Sequence, residues 1–322
     1  MKAAELFDLK GRVALVTGAS GGLGLRFAEV LAANGASVAL VARRADKLKA
    51  AQDKIEKAGG KAVCIEADVL DRAQMNRVFD QAEKALGTVT ILVNNAGVAH
   101  STRATDVTEE EWRHVVGTNL DAVFFWAQEA ARRMIKAGKK GAVVNIASVL
   151  GLSVSKGTIA YATAKAGVIQ MTKTLGLELA FKGVRVNAIA PGWFVTEIND
   201  KYLMGEAGAA LKRDIPMGRF GNEGELDGAL LYLASDASSY TTGSVLVVEM
   251  AAGCITRVGM DGAKTVIATY SGDANYNGSS SSGVPHTVNK AATTTTITSN
   301  LSTATVTGQG YLVAFSVTVN SP

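Results

Sequence analysis

The chain has 322 residues, 48% of them hydrophobic and 19% charged, with a formal net charge of +4. That length holds one large α/β domain plus something smaller, and the apolar content is ample for a packed core. The small charge comes without a basic block of the kind nucleic acid needs, and no uninterrupted apolar run reaches the ~18 residues that a membrane span requires.

Arg12 to Val16 is a short β-rich run, followed at once by Thr17-Gly18-Ala19-Ser20-Gly21-Gly22-Leu23-Gly24. A helix then reads from Leu23 to Ala33 and stops at Asn34-Gly35. A glycine cluster alone is a turn, but strand, glycine turn and helix in that order make a dinucleotide site. Gly18 permits the tight turn, and Gly22 and Gly24 let a pyrophosphate and the strand approach the helix start. Ser37 to Ala42 is the second strand. At its end an NAD enzyme places an acidic residue to hold the ribose 2′-hydroxyl. Here Ala42 is followed by Arg43 and Arg44, and a guanidinium can grip a 2′-phosphate through two parallel hydrogen bonds. The plainer alternative is two solvated arginines opening the next helix.

A helix from Asp46 to Lys57 leads to a strand over Ala62–Asp68, where Asp68 is a candidate N-cap for a helix over Asp71–Leu86. Ile91-Leu92-Val93 is a fourth strand, running into Asn94-Asn95-Ala96-Gly97. Thr108 and Glu111 form a capping box that opens a long amphipathic helix reaching Lys136, with Asn119 inside it. Ala142 to Ala147 reads as a buried strand, so Ser148 sits at a strand's carboxyl end, the edge where open α/β sheets bind ligands. A loop serine or helix cap is the alternative there. Val149, Leu150, Gly151 and Leu152 suit one wall of a substrate pocket.

The apolar-periodic run from Thr158 to Phe181 is a helix, which puts Tyr161 and Lys165 one turn apart on one face. A free phenol, with a pKa of about 10, is a poor acid or base at neutral pH. A lysine ammonium a few ångströms away favours the phenolate and draws that pKa down. Such a pair can exchange a proton with a carbonyl or an alcohol. Val184 to Ala190 is the sixth strand, ended by Pro191-Gly192. The stretch Trp193 to Asp214 has no firm period but carries Trp193, Phe194, Ile198, Tyr202, Leu203 and Met204, and reads as a mobile lid with an apolar inner face. A helix at Glu223–Ala234 and a strand at Ser244–Glu249 close the domain.

TGxxxGxG at Thr17–Gly24, Asn94-Asn95-Ala96-Gly97, Asn119, Ser148 and Tyr161-x-x-x-Lys165 agree in order and spacing, and resemble the short-chain dehydrogenase/reductase family over roughly residues 8–255. The resemblance implies a doubly wound, Rossmann-type sheet of about seven mostly parallel strands. It implies hydride exchange with a small-molecule carbonyl or alcohol, with Asn119, Ser148, Tyr161 and Lys165 as the catalytic set and Asn119 holding a water joined to the lysine at a helical kink. It assigns cofactor contacts to Gly18, Ser20, Gly22, Leu23 and Gly24, to Asp68 and Val69 at the adenine, to Asn95, Ala96 and Gly97 along the riboses, and to Tyr161 and Lys165. Pro191, Gly192 and Thr196 lie where the family holds the nicotinamide carboxamide. Arg43 and Arg44 point to NADP(H), although the second basic residue that the family often carries beside Ser20 is Gly21 here; NAD(H) is the alternative. The family's long helices, here Thr108–Lys136 and Thr158–Phe181, pair across two-fold axes, so a homotetramer or homodimer is expected. The general layout looks most like sugar-acid dehydrogenases and acyl-carrier ketoreductases. The family's usual Asp-Gly-Gly after the last strand is replaced by Glu249-Met250-Ala251-Ala252-Gly253.

From about Asp261 charged residues almost vanish and about a third of the chain is Ser or Thr. Tyr270 to Gly278 and Thr287 to Ala291 resemble bacterial Ig-like repeats, with the last strands of one repeat preceding the first of the next. The expected organisation is a Rossmann domain over 1–258 and a partial Ig-like β segment over 259–322, joined by fusion, by a cloning scar or by a join of reading frames, with a natural two-domain protein as the alternative. Cys64 and Cys254 lack metal-like pairing and suit a reducing compartment, and His100, His114 and His286 form no ligand cluster. With no apolar segment at the N-terminus, a cytoplasmic location is expected and no metal.

Overall fold

The computed structural model describes residues 2–195 and 217–248, a few isolated residues between them, and the backbone of five short strands further on. The chain divides into two compact units, Met1–Ile255 and Thr256–Pro322. The first is built on β1 (Val13–Thr17), β2 (Ser37–Ala42), β3 (Lys61–Glu66), β4 (Ile91–Asn94), β5 (Gly141–Ile146), β6 (Val184–Pro191) and β7 (Val245–Val248). They form one seven-stranded sheet in the order β3-β2-β1-β4-β5-β6-β7, and every neighbouring pair is parallel. All residues of β1, β4 and β5 are buried. That is why these strands read as continuous apolar runs rather than as alternating ones: a parallel sheet is covered on both faces.

The α-helices with described bounds are α1 (Ala3–Leu6), α2 (Gly22–Ala33), α3 (Ala45–Lys57), α4 (Arg72–Leu86), α5 (Glu109–Val116), α6 (Ala122–Lys136), α7 (Ile159–Ala180) and α8 (Asp227–Ala234). They fall on two sides. Phe27 and Leu31 of α2, Leu48 and Ile55 of α3, and Leu230 and Leu233 of α8 share a core with Ala14 and Val16. Met75 and Phe79 of α4 and Trp126 and Met134 of α6 share the other with Val13 and Leu15. Alternate residues of β1 thus face opposite layers, as a period of two requires. Most expected element boundaries hold to within a residue or two, but the helix expected at Glu223–Ala234 opens as a 3-10 helix over Glu223–Leu226 and becomes α8 only at Asp227.

Two local departures matter. The long helix expected from Thr108 is two helices joined by a π turn at Gly117–Asp121, an irregularity that often marks a functional position. Asp71, rather than Asp68, caps α4, accepting from the Ala73 and Gln74 N–H groups at 2.9 and 3.1 Å. This leaves Asp68 free of the capping role that the sequence allowed it.

Of the expected lid, Phe194 and Leu203 are buried with Ile215 and Phe220, and Trp193, Val195 and Leu211 pack against them. Ile198, Tyr202 and Met204 lie outside the described residues, as do Thr196 and the Glu249–Gly253 stretch. In the second unit β8 (Gly262–Val266) pairs antiparallel with β11 (Val284–Val288), and β9 (Ala268–Gly272) with β10 (Asn277–Ser280) and β12 (Ser316–Val317). The Ig-like resemblance of this segment rests on its sequence alone.

Candidate active site

The strand order reverses between β1 and β4, so the connections after these two strands diverge and leave a crevice at their carboxyl ends. The glycine turn and the Asn95–Gly97 segment meet in it. Gly18 has φ 68°, a left-handed conformation open to glycine at little cost. A Cβ at Gly24 would overlap the Gly18 carbonyl and the Asn95 amide, so only glycine lets the helix start come this close. Asn95 holds the contact from the other side, its Nδ2 donating to the Thr17 carbonyl at 3.0 Å. The Thr17 hydroxyl accepts from the Asn95 and Ala96 N–H groups at 3.0 and 3.1 Å. Thr17 therefore locks the β4 exit onto the glycine turn. In the sequence Thr17 is only the first letter of the motif, because its partners lie 78 and 79 residues away. With the N-terminus of α2 opening directly from this turn at Gly22, the arrangement fits the pyrophosphate of a dinucleotide, which takes free helix-start N–H groups and a bare backbone.

At the end of β2, Ala42 is buried and the two arginines diverge. Arg44 turns to the glycine turn, donating from Nε and Nη2 to the Ser20 hydroxyl at 3.3 and 3.0 Å. Arg43 lies 3.8 Å from the Asp68 carboxylate, whose other oxygen accepts from the Leu70 N–H at 3.0 Å. The Val69 carbonyl accepts from Trp126 Nε1 at 3.0 Å, which fixes the backbone at this rim.

The proposed proton-transfer set lies along β5 and α7. Ser148 is buried and its Oγ accepts from the Leu150 N–H at 3.1 Å, which leaves its own hydrogen free to donate. The Tyr161 hydroxyl interacts with Ser148. Burial pushes the phenol above its ordinary pKa, and the Ser148 hydrogen bond opposes that rise. The lysine was expected to draw the phenol down; instead its Nζ donates to the Ile146 carbonyl at 2.7 Å and lies 5.6 Å from the centre of the Tyr161 ring. Lys165 is 4% exposed, and desolvation pushes it down to about 8.

Asn119, fully buried in the π turn, spends its side chain on Val98: Oδ1 accepts from the Val98 N–H at 3.0 Å and Nδ2 donates to the Val98 carbonyl at 2.7 Å. Its side chain thereby anchors the chain just past Gly97, whose Cα faces both Asn119 Oδ1 and Lys165 Nζ. Asn119 and Lys165, far apart in sequence, thus meet at Gly97, while Tyr161 stands one turn before Lys165 on α7 and Ser148 just past the end of β5. Pro191 ends β6, and the Gly192 N–H donates to the Val248 carbonyl at 2.8 Å. Among the described residues no group of His, Cys, Asp or Glu could hold a metal ion.

A crevice that fits a dinucleotide, next to a buried serine and lysine and a half-buried tyrosine, is the arrangement of a dehydrogenase-type site. Residues 12–206 match the short chain dehydrogenase family model, and the chain belongs to that family of oxidoreductases. It is similar to the 3-oxoacyl-acyl-carrier-protein reductase FabG of Aquifex aeolicus, at 37% identity over 242 residues, 75% of this chain and 97% of that one. It is also similar to 3beta-hydroxysteroid dehydrogenase 1 of Eggerthella lenta, at 40% identity over 245 residues, 75% of this chain and 94% of that one. A solved gluconate 5-dehydrogenase from Burkholderia cenocepacia J2315, in complex with NADP and tartrate, superposes with a TM-score of 0.75 at 34% identity, covering 80% of this chain and 100% of that one.

Proposed function

We propose that the protein is an NADP(H)-dependent oxidoreductase that interconverts a ketone or aldehyde with its alcohol. The observation that carries this reading is the convergence of Ser148, Tyr161 and Lys165 beside a glycine turn shaped for a dinucleotide. A bound reduced nicotinamide supplies the hydride for the carbonyl carbon. Tyr161 gives its hydroxyl proton to the carbonyl oxygen. Ser148, with Oγ oriented by Leu150, donates a hydrogen bond to the same oxygen as negative charge builds on it, a contribution of about 2.7–4 kcal/mol for a donor of this type. Lys165, positively charged, favours the phenolate left behind and the nicotinamide ribose hydroxyls. Asn119, whose side chain is engaged by Val98, carries the water relay to Lys165 from the π turn in this reading. Pro191 and Gly192, at the end of β6, are assigned to the carboxamide end. A substrate-panel assay with NADPH and NADH in parallel tests the reading.

The NADP(H) assignment rests on the missing carboxylate after Ala42 and on the placement of Arg43 and Arg44. A charge-assisted hydrogen bond contributes roughly 1.5–3 kcal/mol, or about ten- to a hundredfold in affinity. Arg43→Ala and Arg44→Ala should each weaken NADPH by a factor in this range and scarcely change NADH. The Ser20 contact predicts the larger loss for Arg44. Titration of both cofactors against each variant decides the matter. Equal losses for NADH and NADPH would mean that the arginines hold the adenine or the fold, and a wild type that prefers NADH would sink the assignment.

The pH dependence follows from the two shifted groups. Tyr161, raised by burial, stays protonated through neutral pH, as carbonyl reduction needs. Lys165 loses its charge as pH rises through about 8. Reduction should therefore be level at neutral pH and fall above about 8, while alcohol oxidation, which needs the phenolate, should rise with pH. A reduction rate that climbs through that range would contradict the assignment.

A homodimer or homotetramer is proposed, through α5, α6 and α7, where Leu177 and Phe181 are 81% and 93% exposed and Trp112 is 38% exposed. Light scattering at micromolar concentration should show more than one subunit, and a monomer would contradict this. A cytoplasmic location is proposed with it. No helix among the described residues is long and apolar enough to cross a membrane.

A further inference from the structure

We propose that Asn145 and Thr172 are positioning residues that set the register of α7 on β5, and with it the place of Tyr161 opposite Ser148. The proposal rests on the reading of Tyr161 and Ser148 as the reacting pair. Ser148 is delivered by β5 and Tyr161 by α7, so their separation depends on where the helix lies along the strand. Apolar packing between them is supplied by Ala147, Val168 and Ile169. Such packing is non-directional and sets axial position only loosely.

Two polar ties set it sharply. Lys165 Nζ donates to the Ile146 carbonyl at 2.7 Å, and Asn145 Nδ2 donates to Thr172 Oγ1 at 3.0 Å. Lys165 and Thr172 are two helical turns apart on one face, ~10.5 Å along the axis, while Asn145 and Ile146 are adjacent on the strand. Two ties at that spacing fix both the slide and the tilt of the helix. The first belongs to a residue that also serves the phenol and the cofactor. The second has no other employment, and both of its members are 0% exposed.

Asn145 is itself held. Its Oδ1 accepts from Asn94 Nδ2 at 2.9 Å, and Asn94 Nδ2 also donates to the Val123 carbonyl at 3.1 Å. Asn94 precedes Asn95, the residue that grips the glycine turn. One buried chain of hydrogen bonds therefore runs from the β4 exit, through β5 three residues before Ser148, to the helix that carries Tyr161. Asn94, Asn145 and Thr172 are all buried, so the loss of one link leaves a polar group poorly placed to find another partner.

The test uses Thr172→Val, which removes the acceptor at constant shape, and Thr172→Ser, which keeps it, in the full chain and at a temperature where circular dichroism shows all variants folded. Thr172→Val should lower kcat about tenfold with the KM for NADPH unchanged, and Thr172→Ser should stay within about twofold of wild type. The ultraviolet titration of the Tyr161 phenol, taken as the difference from a Tyr161→Phe background, should move in Thr172→Val and not in Thr172→Ser. If Thr172→Val does not fold, Thr172→Cys takes its place, with a drop of about threefold expected. A variant that melts lower yet keeps the wild-type kcat and Tyr161 titration would overturn the proposal and leave the chain a purely structural one. If the wild type reduces no carbonyl, the functional reading fails separately. The titration then still decides, and an unmoved Tyr161 overturns the positioning role.

Discussion

Tyr161→Phe should abolish nearly all turnover while leaving NADPH binding within about threefold of wild type. The substitution deletes one hydroxyl from a half-buried ring and keeps its packing. A positioned general acid contributes about 10²–10⁴ in rate, so kcat should fall by at least ~10². Among the described residues no other acid stands ready to take over. Ser148 is an ordinary hydroxyl with a far higher pKa, and the Lys165 ammonium is turned to the Ile146 carbonyl. Steady-state kinetics with NADPH and the best carbonyl of a panel, set beside a cofactor titration, separates the two effects. A variant that keeps more than a tenth of the wild-type kcat would show that the proton comes from elsewhere.

Gly24→Ala should damage both stability and cofactor binding. The added carbon would overlap the Gly18 carbonyl and the Asn95 amide, so the glycine turn must move off the helix start. Overpacking of this kind costs typically 1–3 kcal/mol, or a melting point lower by several degrees for a domain of this size. The same displacement spoils the approach of backbone to pyrophosphate, and NADPH should bind at least ~10-fold more weakly. Gly228→Ala is the control: it lies in α8 with nothing within 4 Å of the added carbon, and alanine in a helix is worth up to ~1 kcal/mol over glycine. Thermal melts and NADPH titration of both variants decide the point. A Gly24→Ala protein that melts and binds like wild type would show that the turn gives way cheaply.

Much of the site was legible because it is written in local periods. Strand, glycine turn and helix follow one another within Val13–Ala33, and Tyr161 and Lys165 share a face by helical spacing alone. What was not legible depends on partners distant in sequence. Nothing near Lys165 says that its ammonium reaches a strand carbonyl 19 residues back, and this displaces the simple picture of a lysine pressed against a phenol. Asn119 is 21 residues from the Val98 backbone that engages it. Asp68 reads as the N-cap candidate in sequence, and only the placement of the Ala73 and Gln74 N–H groups shows that Asp71 takes the role. Arg43 and Arg44 look equivalent in sequence, but consecutive residues point apart, and only one of them reaches Ser20.

Hydride transfer between a nicotinamide and a carbonyl carbon can be followed by isotope labelling. Incubating the wild-type protein with NADPH dideuterated at the nicotinamide C4 and a panel of ketones and aldehydes, followed by mass spectrometry, should give at least one alcohol with a single deuterium on the carbinol carbon. Tyr161→Phe should form at most about a hundredth as much in the same time. A wild type that binds the cofactor but yields no deuterated alcohol from any member of the panel would contradict the account.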